Sequence, residues 1–382
     1  MKKLDELIQE FCPNGVDFCA ISDVTNYEQP GKYIVKSTDY NDSYATPVLT
    51  AGQTFILGKT NETSGIYEAS ENSPVIIFDD FTGAFKWVDF HFKVKSSAMK
   101  LLTANEERLS LRYLYHVMGN IGFTSDEHKR LWIATYSLFR IPLPPLAVQQ
   151  EIVRILDSFT ELTAELTAEL TARRKQYEHY RDELLTFGDD IVWTQLKNIA
   201  TFKNGKGHER KIVEDGPFIV VNSRFISSDG LVKKYSEIQI VPLVKNDILM
   251  VMSDLPNGKA LAKCFVVDAD NTYTLNQRIC ALHVKDTVQV NTSFLYYFLN
   301  RNKQLLKHDN GVDQTNLKKD DILEILVPIL PLSQQMSIVS ILDSFYALCT
   351  NLTSGLPAEI AARQKQYEYY RDKLLTFKEK ME

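Results

Sequence analysis

Cysteine is scarce in this chain and never paired. Cys12, Cys19, Cys264, Cys280 and Cys349 are the five among 382 residues, and none has CxxC spacing. That pattern excludes a disulfide framework and a structural zinc site, and predicts reduced thiols in the cytoplasm. No stretch approaches the ~20 consecutive apolar residues of a membrane helix. The start, Met1-Lys2-Lys3-Leu4-Asp5-Glu6, lacks the apolar core of a signal peptide. Excess positive charge is also missing. Lys and Arg number 43 against 49 Asp and Glu, for a net charge of −6, whereas a nucleic-acid-binding domain is usually basic. The charge is sorted locally, however. Lys203, Lys206, Arg210, Lys211 and Arg224 gather in one stretch, and Glu151, Asp157, Glu161, Glu165 and Glu169 in another.

Catalytic signatures are absent as well. The chain has no Asn/Asp-Pro-Pro-aromatic motif of an amino-methyltransferase. Gly58-Lys59-Thr60 has Gln53 where a phosphate loop needs glycine. Gly205-Lys206-Gly207 lacks the third glycine of a dinucleotide loop. The seven histidines (His91, His116, His128, His179, His208, His283, His308) show no HxxxH spacing, and Asp79-Asp80 reads as a pair of solvated turn residues. The expectation is a chain with no catalytic residues and no metal site, one that is not an enzyme on its own.

What the chain does have is an internal repeat. Ile141-Pro142-Leu143-Pro144-Pro145-Leu146, followed by Gln149, Ile152 and Ile155-Leu156-Asp157-Ser158-Phe159, returns as Val327-Pro328-Ile329-Leu330-Pro331-Leu332, followed by Gln335, Ile338 and Ile341-Leu342-Asp343-Ser344-Phe345. Lys175-Gln176-Tyr177-Glu178, running on to Leu184-Leu185-Thr186-Phe187, returns as Lys365-Gln366-Tyr367-Glu368, running on to Leu374-Leu375-Thr376-Phe377. Apolar residues recur at steps of three or four through each copy, the mark of a helix seam. Each copy therefore reads as one helix of ~40 residues, about 60 Å long at ~1.5 Å per residue. Neither apolar stripe can stay in water, so the two helices are expected to pack as an antiparallel, coiled-coil-like pair. Asn351, Gly355 and Pro357 predict a kink or break in the second.

Two α+β segments of similar size lie between the helices. The first shows strands at Thr54–Leu57, Pro74–Phe78 and Phe85–Val94 and a helix near Leu109–Met118. The second shows strands at Phe218–Val221, Ile248–Met252, Ala262–Val267 and Ile279–Val284 and a helix over Thr292–Leu306. Phe18, Ile21, Val24 and Tyr27 align with Trp193, Leu196, Ile199 and Phe202. Leu4-Asp5-Glu6-Leu7-Ile8 resembles Arg181-Asp182-Glu183-Leu184-Leu185. The order is thus cyclic, which implies a pseudo-two-fold axis with the first and last residues close together. The expected division is residues 1–140 (a globular domain with an N-terminal helical cap), 141–187 (first helix), 188–326 (second globular domain) and 327–382 (second helix).

Long repeated helices flanking two divergent globular segments resemble the specificity subunits of type I restriction–modification systems. Pro142–Ile152 and its second copy Pro328–Ile338 look like that family's signature, and Gly311-Val312-Asp313-Gln314-Thr315-Asn316-Leu317 resembles its pattern before the second copy. Thr163-Ala164-Glu165-Leu166-Thr167-Ala168-Glu169-Leu170 is similar to tandem four-residue repeats whose copy number, in some members, alters the spacing between DNA half-sites. The chain departs from the pattern at Val148 and Gln334, where the family often has Glu, and at His128, where Gln314 leads one to expect glutamine. The resemblance implies a non-catalytic DNA reader. Each globular segment would be a target-recognition domain for half of a split, asymmetric double-stranded site, and the helices would be a ruler that docks two modification subunits. This chain would bind no cofactor itself. S-adenosylmethionine, ATP and Mg would belong to the modification and restriction subunits. The alternative is a helical scaffold presenting two protein-binding domains.

Residue chemistry marks candidate DNA contacts, since phosphates take Lys, Arg and small polar groups and base edges take Arg, Lys, Asn and Gln. In the second domain these are Lys203, Asn204, Lys206 and Arg210 of a basic, glycine-rich loop, then Asn222 and Arg224, Asn257 and Lys259, and Asn310 and Gln314. In the first they are Lys36, Ser37, Lys59, Lys86 and Lys129. Ile152, Phe159, Tyr177, Tyr180, Ile338, Phe345, Tyr367 and Tyr370 are expected at the helix seam or a partner interface, where aromatic anchors are enriched.

Overall fold

The computed structural model describes residues 2–52, 54–123, 129–188, 190–256, 258–285, 289–350 and 355–381. Its α-helices are α1 (Lys2–Phe11), α2 (Leu111–Ile121), α3 (Leu146–Leu184), α4 (Leu196–Ile199), α5 (Ser223–Ser227), α6 (Thr292–Leu299), α7 (Lys303–Leu306), α8 (Lys319–Leu323), α9 (Leu332–Thr350) and α10 (Leu356–Leu374). The chain forms two compact units, residues 1–168 with 358–382, and residues 169–357. The division falls within α3.

In the first unit, four antiparallel strands lie in the order Thr25–Glu28, Met99–Ala104, Val75–Asp79, Phe85–Val88. Val75-Ile76-Ile77-Phe78 is apolar without interruption because this central strand is covered on both faces. Ile76 and Phe78 face a core shared with α2 and the start of α3, while Val75 and Ile77 face a second core. Beneath that second core lies a smaller sheet, Ile56–Thr60, Thr46–Leu49 and Lys93–Val94. The chain's two ends meet in this unit: the Val16 amide donates to the Lys378 carbonyl (2.9 Å), and Arg140 pairs with Glu379 (2.7 Å). Leu4 of α1 is fully buried in one cluster with Leu374 and Leu375.

The second unit repeats the plan. Its main sheet runs Ala200–Asn204, Ile279–Val284, Ile248–Val251, Cys264–Val266, all antiparallel. Ile248 and Met250 face one core and Leu249 and Val251 the other. A second four-stranded sheet holds Ile212–Val213, Tyr235–Ser236, Phe218–Val221 and Tyr273–Leu275.

The repeated Pro-rich motif closes each unit in the same way. Phe18 sits opposite Pro142 in a two-stranded sheet, and Trp193 opposite Pro328 in another. The helix that follows each motif sends a fully buried glutamine back to the domain. Gln149 accepts from the Ser110 amide (2.9 Å) and donates to the Arg108 (2.9 Å) and Pro144 (2.7 Å) carbonyls. Gln335 accepts from the Asn291 amide (2.7 Å) and donates to the Gln289 (3.1 Å) and Leu330 (2.8 Å) carbonyls. Ser110 and Asn291 are the N-caps of α2 and α6, so each glutamine fixes the start of a domain helix against the repeat helix. Two turns further on, Asp157 binds His116 (2.8 Å) and Arg112 (2.9 Å), and Asp343 accepts from the Tyr297 hydroxyl (2.5 Å).

Glu151, buried at the start of α3, takes Arg154 (2.7 Å) and Lys3 (2.9 Å). The Arg154 hydrogen bond, helped by Lys3, brings its carboxyl down to about 2 against the penalty of burial. A lowered carboxyl contributes stability that is present above its unfolded value of ~4.3 and is lost as pH falls toward 2. Glu151→Gln should therefore lower the melting temperature near pH 7, and the gap to wild type should close between about pH 4.3 and 2. A gap independent of pH would refute this ionic role.

Several elements differ from the sequence reading. The helix expected over Thr292–Leu306 is two, α6 and α7, because Arg301 takes φ 58° and the Asn302 side chain caps a new start by accepting from the Gln304 amide. Phe85–Val94 is two strands, Phe85–Val88 and Lys93–Val94, which join different sheets. The second repeat copy, by contrast, holds two helices, α9 and α10, in agreement with the break expected in it; Asn351 lies outside the described residues. Asp79 does shape a turn, accepting from the Phe81 and Thr82 amides. Asp80, read as solvated, is instead buried, 3.0 Å from the buried Lys100 ammonium, and accepts from the Trp132 amide. An ammonium removed from water needs a counter-charge, and Asp80 supplies it.

Candidate nucleic-acid interface

In the second unit, backbone hydrogen bonds draw several polar loops to one end of the main sheet. Asn204 ends an edge strand opposite Cys280. The Gly205 amide then donates to the Ile279 carbonyl and the Lys206 amide to the Leu275 carbonyl, both at 3.1 Å. A Cβ on Gly205 would lie 1.8 Å from the Asn276 carbonyl oxygen, so only glycine allows this approach. Buried His208 locks the loop, with Nδ1 on the Lys206 carbonyl (2.7 Å) and Nε2 on the Thr274 hydroxyl (2.9 Å), while its amide donates to the Asn276 side chain. The Asn276 amide donates to the Val221 carbonyl (3.1 Å), which brings in Asn222, whose side chain caps α5.

The other two loops arrive at the same strand ends. The Met252 amide donates to the Arg278 carbonyl (2.8 Å). Ser253-Asp254 pairs with Thr315-Asn316, and the Gln314 side-chain amide donates to the Ser253 hydroxyl (2.7 Å). Asp254 accepts from the Leu255, Ala260 and Leu261 amides and so shapes the turn that holds Lys259. Asn310 shapes its own loop by accepting from the Val312 and Asp313 amides.

Lys203, Asn204, Lys206, Arg210, Arg224, Lys259, Asn310 and Gln314 are all exposed, and Asn222 is half-buried. Lys203 also donates to the Pro242 carbonyl (3.1 Å). Asn257 lies outside the described residues, as does His128. The loop Asn276-Gln277-Arg278 joins this group, although residue chemistry alone does not single it out. Its signal in the sequence is a polar triplet between the apolar runs Tyr273–Leu275 and Ile279–Val284.

The first-domain candidates fall into two groups. Lys36 and Ser37 both donate backbone amides to Glu62, which pairs with buried Lys93 (3.1 Å), and Lys59 stands in the neighbouring sheet opposite Pro47. Lys86 stands in the main sheet opposite Ile77, and exposed Lys129 lies beside Arg130, 3.8 Å from Asp80.

The seam residues pack within their own units. In the first, Ile152 is fully buried, Phe159 stacks on Tyr370 (5.3 Å, 18°), and the Tyr367 hydroxyl lies 3.2 Å from His116 Nδ1. In the second, Tyr180 stacks on Phe345 (5.4 Å, 30°), Tyr177 lies 6.2 Å from Tyr346, and Ile338 is half-buried. Burial pushes the Tyr177 hydroxyl up to about 12, so it stays neutral at physiological pH. Tyr369 remains 61% exposed. Among the described residues no group of three or more His, Cys, Asp or Glu could hold a metal, and no helix is long and apolar enough to cross a membrane.

Two divergent α+β domains, each closed by a copy of one Pro-rich strand and helix, define an internally duplicated two-domain protein. Residues 13–173 and 177–362 each match the family described as Type I restriction modification DNA specificity domain. The chain is 40% identical to the type I restriction enzyme EcoR124I/EcoR124II specificity subunit of Escherichia coli, over 95% of this chain and 94% of that one. It is 33% identical to a putative type I restriction enzyme specificity subunit of Haemophilus influenzae, over 71% of this chain and 74% of that one. Its fold is similar to that of the type I restriction–modification S subunit of M. genitalium, with a TM-score of 0.55 at 15% identity over 94% of this chain and 96% of that one. The chain belongs to the type I restriction–modification DNA specificity family and carries two DNA specificity domains. It is thus a DNA-recognition subunit of a multisubunit complex, whose chemistry is done by other chains.

Proposed function

We propose that the two specificity domains, residues 1–140 and 188–326, each read one half of a bipartite, asymmetric site on double-stranded DNA. The repeat segments 141–187 and 327–382 form an antiparallel ruler with pseudo-two-fold symmetry. That ruler docks two modification subunits, with restriction subunits completing the complex in the cytoplasm. S-adenosylmethionine belongs to the modification subunits, and ATP and Mg to the restriction subunits. The observation that carries this reading is the convergence of Lys203–Arg210, Ser253–Leu255 with Lys259, Asn276–Arg278 and Asn310–Gln314 at one end of one sheet. Loops on a rigid scaffold can vary in sequence without disturbing the core, which suits a reader of changeable specificity. The near-identical residues of the two repeat helices, Lys175-Gln176-Tyr177-Glu178 and Lys365-Gln366-Tyr367-Glu368 among them, support one kind of partner bound twice.

The test is modified-base sequencing of DNA from a host carrying this chain and its modification subunits. A two-part motif with an unspecified gap is expected, and a single uninterrupted palindrome would overturn the reading. A second measurement isolates the basic loop. Replacing Lys203, Lys206 and Arg210 together by alanine should weaken binding to all duplexes alike. It should also flatten the log Kd–log[salt] slope by roughly 0.9 for each phosphate no longer neutralised. An unchanged slope would remove this loop from the interface.

A further inference from the structure

We infer that Arg278 is a specificity-determining residue of the second domain, its guanidinium reading a guanine through the major groove. The inference rests on the DNA-reading function proposed above. Arg278 adopts φ 69°, a left-handed conformation that side chains other than glycine, asparagine and aspartate avoid. Two other described residues of this kind, Ala262 and Arg301, are tied together, with the Arg301 amide on the Ala262 carbonyl (2.8 Å) and its guanidinium turned inward to the Gly258 carbonyl. The Arg278 guanidinium has no such inward role. It is exposed and makes no hydrogen bond or ion pair among the described residues.

The backbone beneath it is held on both sides. Its carbonyl accepts from the Met252 amide (2.8 Å), and Ile279 immediately after it is fully buried. A glycine would fit this backbone with less strain, so nothing in the fold calls for an arginine here. Backbone held in a costly conformation by its surroundings, with a functional group at its tip, marks a working position. The neighbouring loops present Leu255 and Val312, 68% and 75% exposed. Large apolar side chains left in water at loop tips suit contact with thymine methyl groups, beside an arginine whose fork matches guanine O6 and N7. Lys206, one hydrogen-bonded loop away, suits the flanking phosphate.

The test uses the full chain assembled with its modification subunits, carrying Arg278→Gly and, separately, Arg278→Asn. Both residues tolerate the left-handed conformation, so both variants should melt no lower than wild type. The expected motif keeps one half-site intact and loses a single G·C position in the other, with discrimination there reduced roughly 10- to 100-fold. An unchanged motif in both folded variants would overturn the inference. So would uniformly weaker binding with the motif intact, which marks a phosphate contact. If wild type itself yields no bipartite motif, the failure belongs to the proposed function instead.

Discussion

Gln335→Leu should unfold the second unit at a markedly lower temperature than wild type, and Gln149→Leu should do the same for the first. Leucine is close to glutamine in size, so little cavity forms, and the cost is almost wholly polar. Replacing Gln335 strands the half-buried Asn291 amide and the buried Leu330 carbonyl at once, and leaves the carbonyl of exposed Gln289 to water. A buried polar group left without a partner costs about 1–3 kcal/mol, so the loss is on the order of 4 kcal/mol. That is a large part of the roughly 5–15 kcal/mol that holds a domain folded. The expected drop is about 8–16 °C for a unit of this size. The lever is also mechanical, since Asn291 begins α6 and α6 packs on the sheet that carries the polar loops. Scanning calorimetry of the two single variants checks it, and melting unchanged by either substitution would show that the clasp is not structural. Gln335→Glu keeps the acceptor but turns a carboxylate oxygen toward two carbonyls, and should destabilise at least as much at pH 7.

The repeat makes this architecture legible, because identical residues have to do identical work. Gln149 and Gln335 match by position, and both are buried clasps; Asp157 and Asp343 match too, and both tie the repeat helix to the domain. The main-sheet strands are visible as short apolar runs. Val75–Phe78 and Ile248–Val251 are covered on both faces, so nothing polar interrupts them. What stays hidden depends on contacts between distant residues. Asp80 looks like a turn residue because its partner, Lys100, lies on another strand. The break between α6 and α7 is carried by Arg301 and Asn302, which a count of apolar residues passes over. Site residues are legible as loops but not as a cluster. Lys206 and Gln314 are far apart in the chain, and only the hydrogen bonds through Leu275, Arg278, Met252 and Ser253 bring them to one end of a sheet. Arg278 escapes a reading of the sequence because its distinction is a backbone angle, which composition does not record.

Deleting Thr167-Ala168-Glu169-Leu170 should shorten the unspecified gap of the DNA motif and leave both half-sites unchanged. These residues lie within α3 where the chain passes from one compact unit to the other. The local helix tolerates the loss. Leu162, Leu166 and Leu170 are half-buried at intervals of four, and the deletion leaves the first two in phase. The Thr167 hydroxyl, which donates to the Thr163 carbonyl (2.7 Å), is replaced by that of Thr171. Arg173, now paired with Glu169 (3.4 Å), falls four residues after Glu165 and finds the same partner type. Four residues are about 6 Å of helix at ~1.5 Å each. Base pairs stack about 3.4 Å apart, so the length change corresponds to roughly one or two of them. Four residues also turn a helix about 40° beyond a full revolution, close to the twist of one base pair at ~10–10.5 per turn. Translation and rotation therefore ask for the same small integer. The second connection has to follow, and it can do so ahead of α10, where Gly355 lies in a bend and Pro357 sits in the helix's first turn. Modified-base sequencing with the deletion variant reads the outcome directly. An altered half-site, or an unaltered gap in an active complex, would show that α3 does not set the spacing.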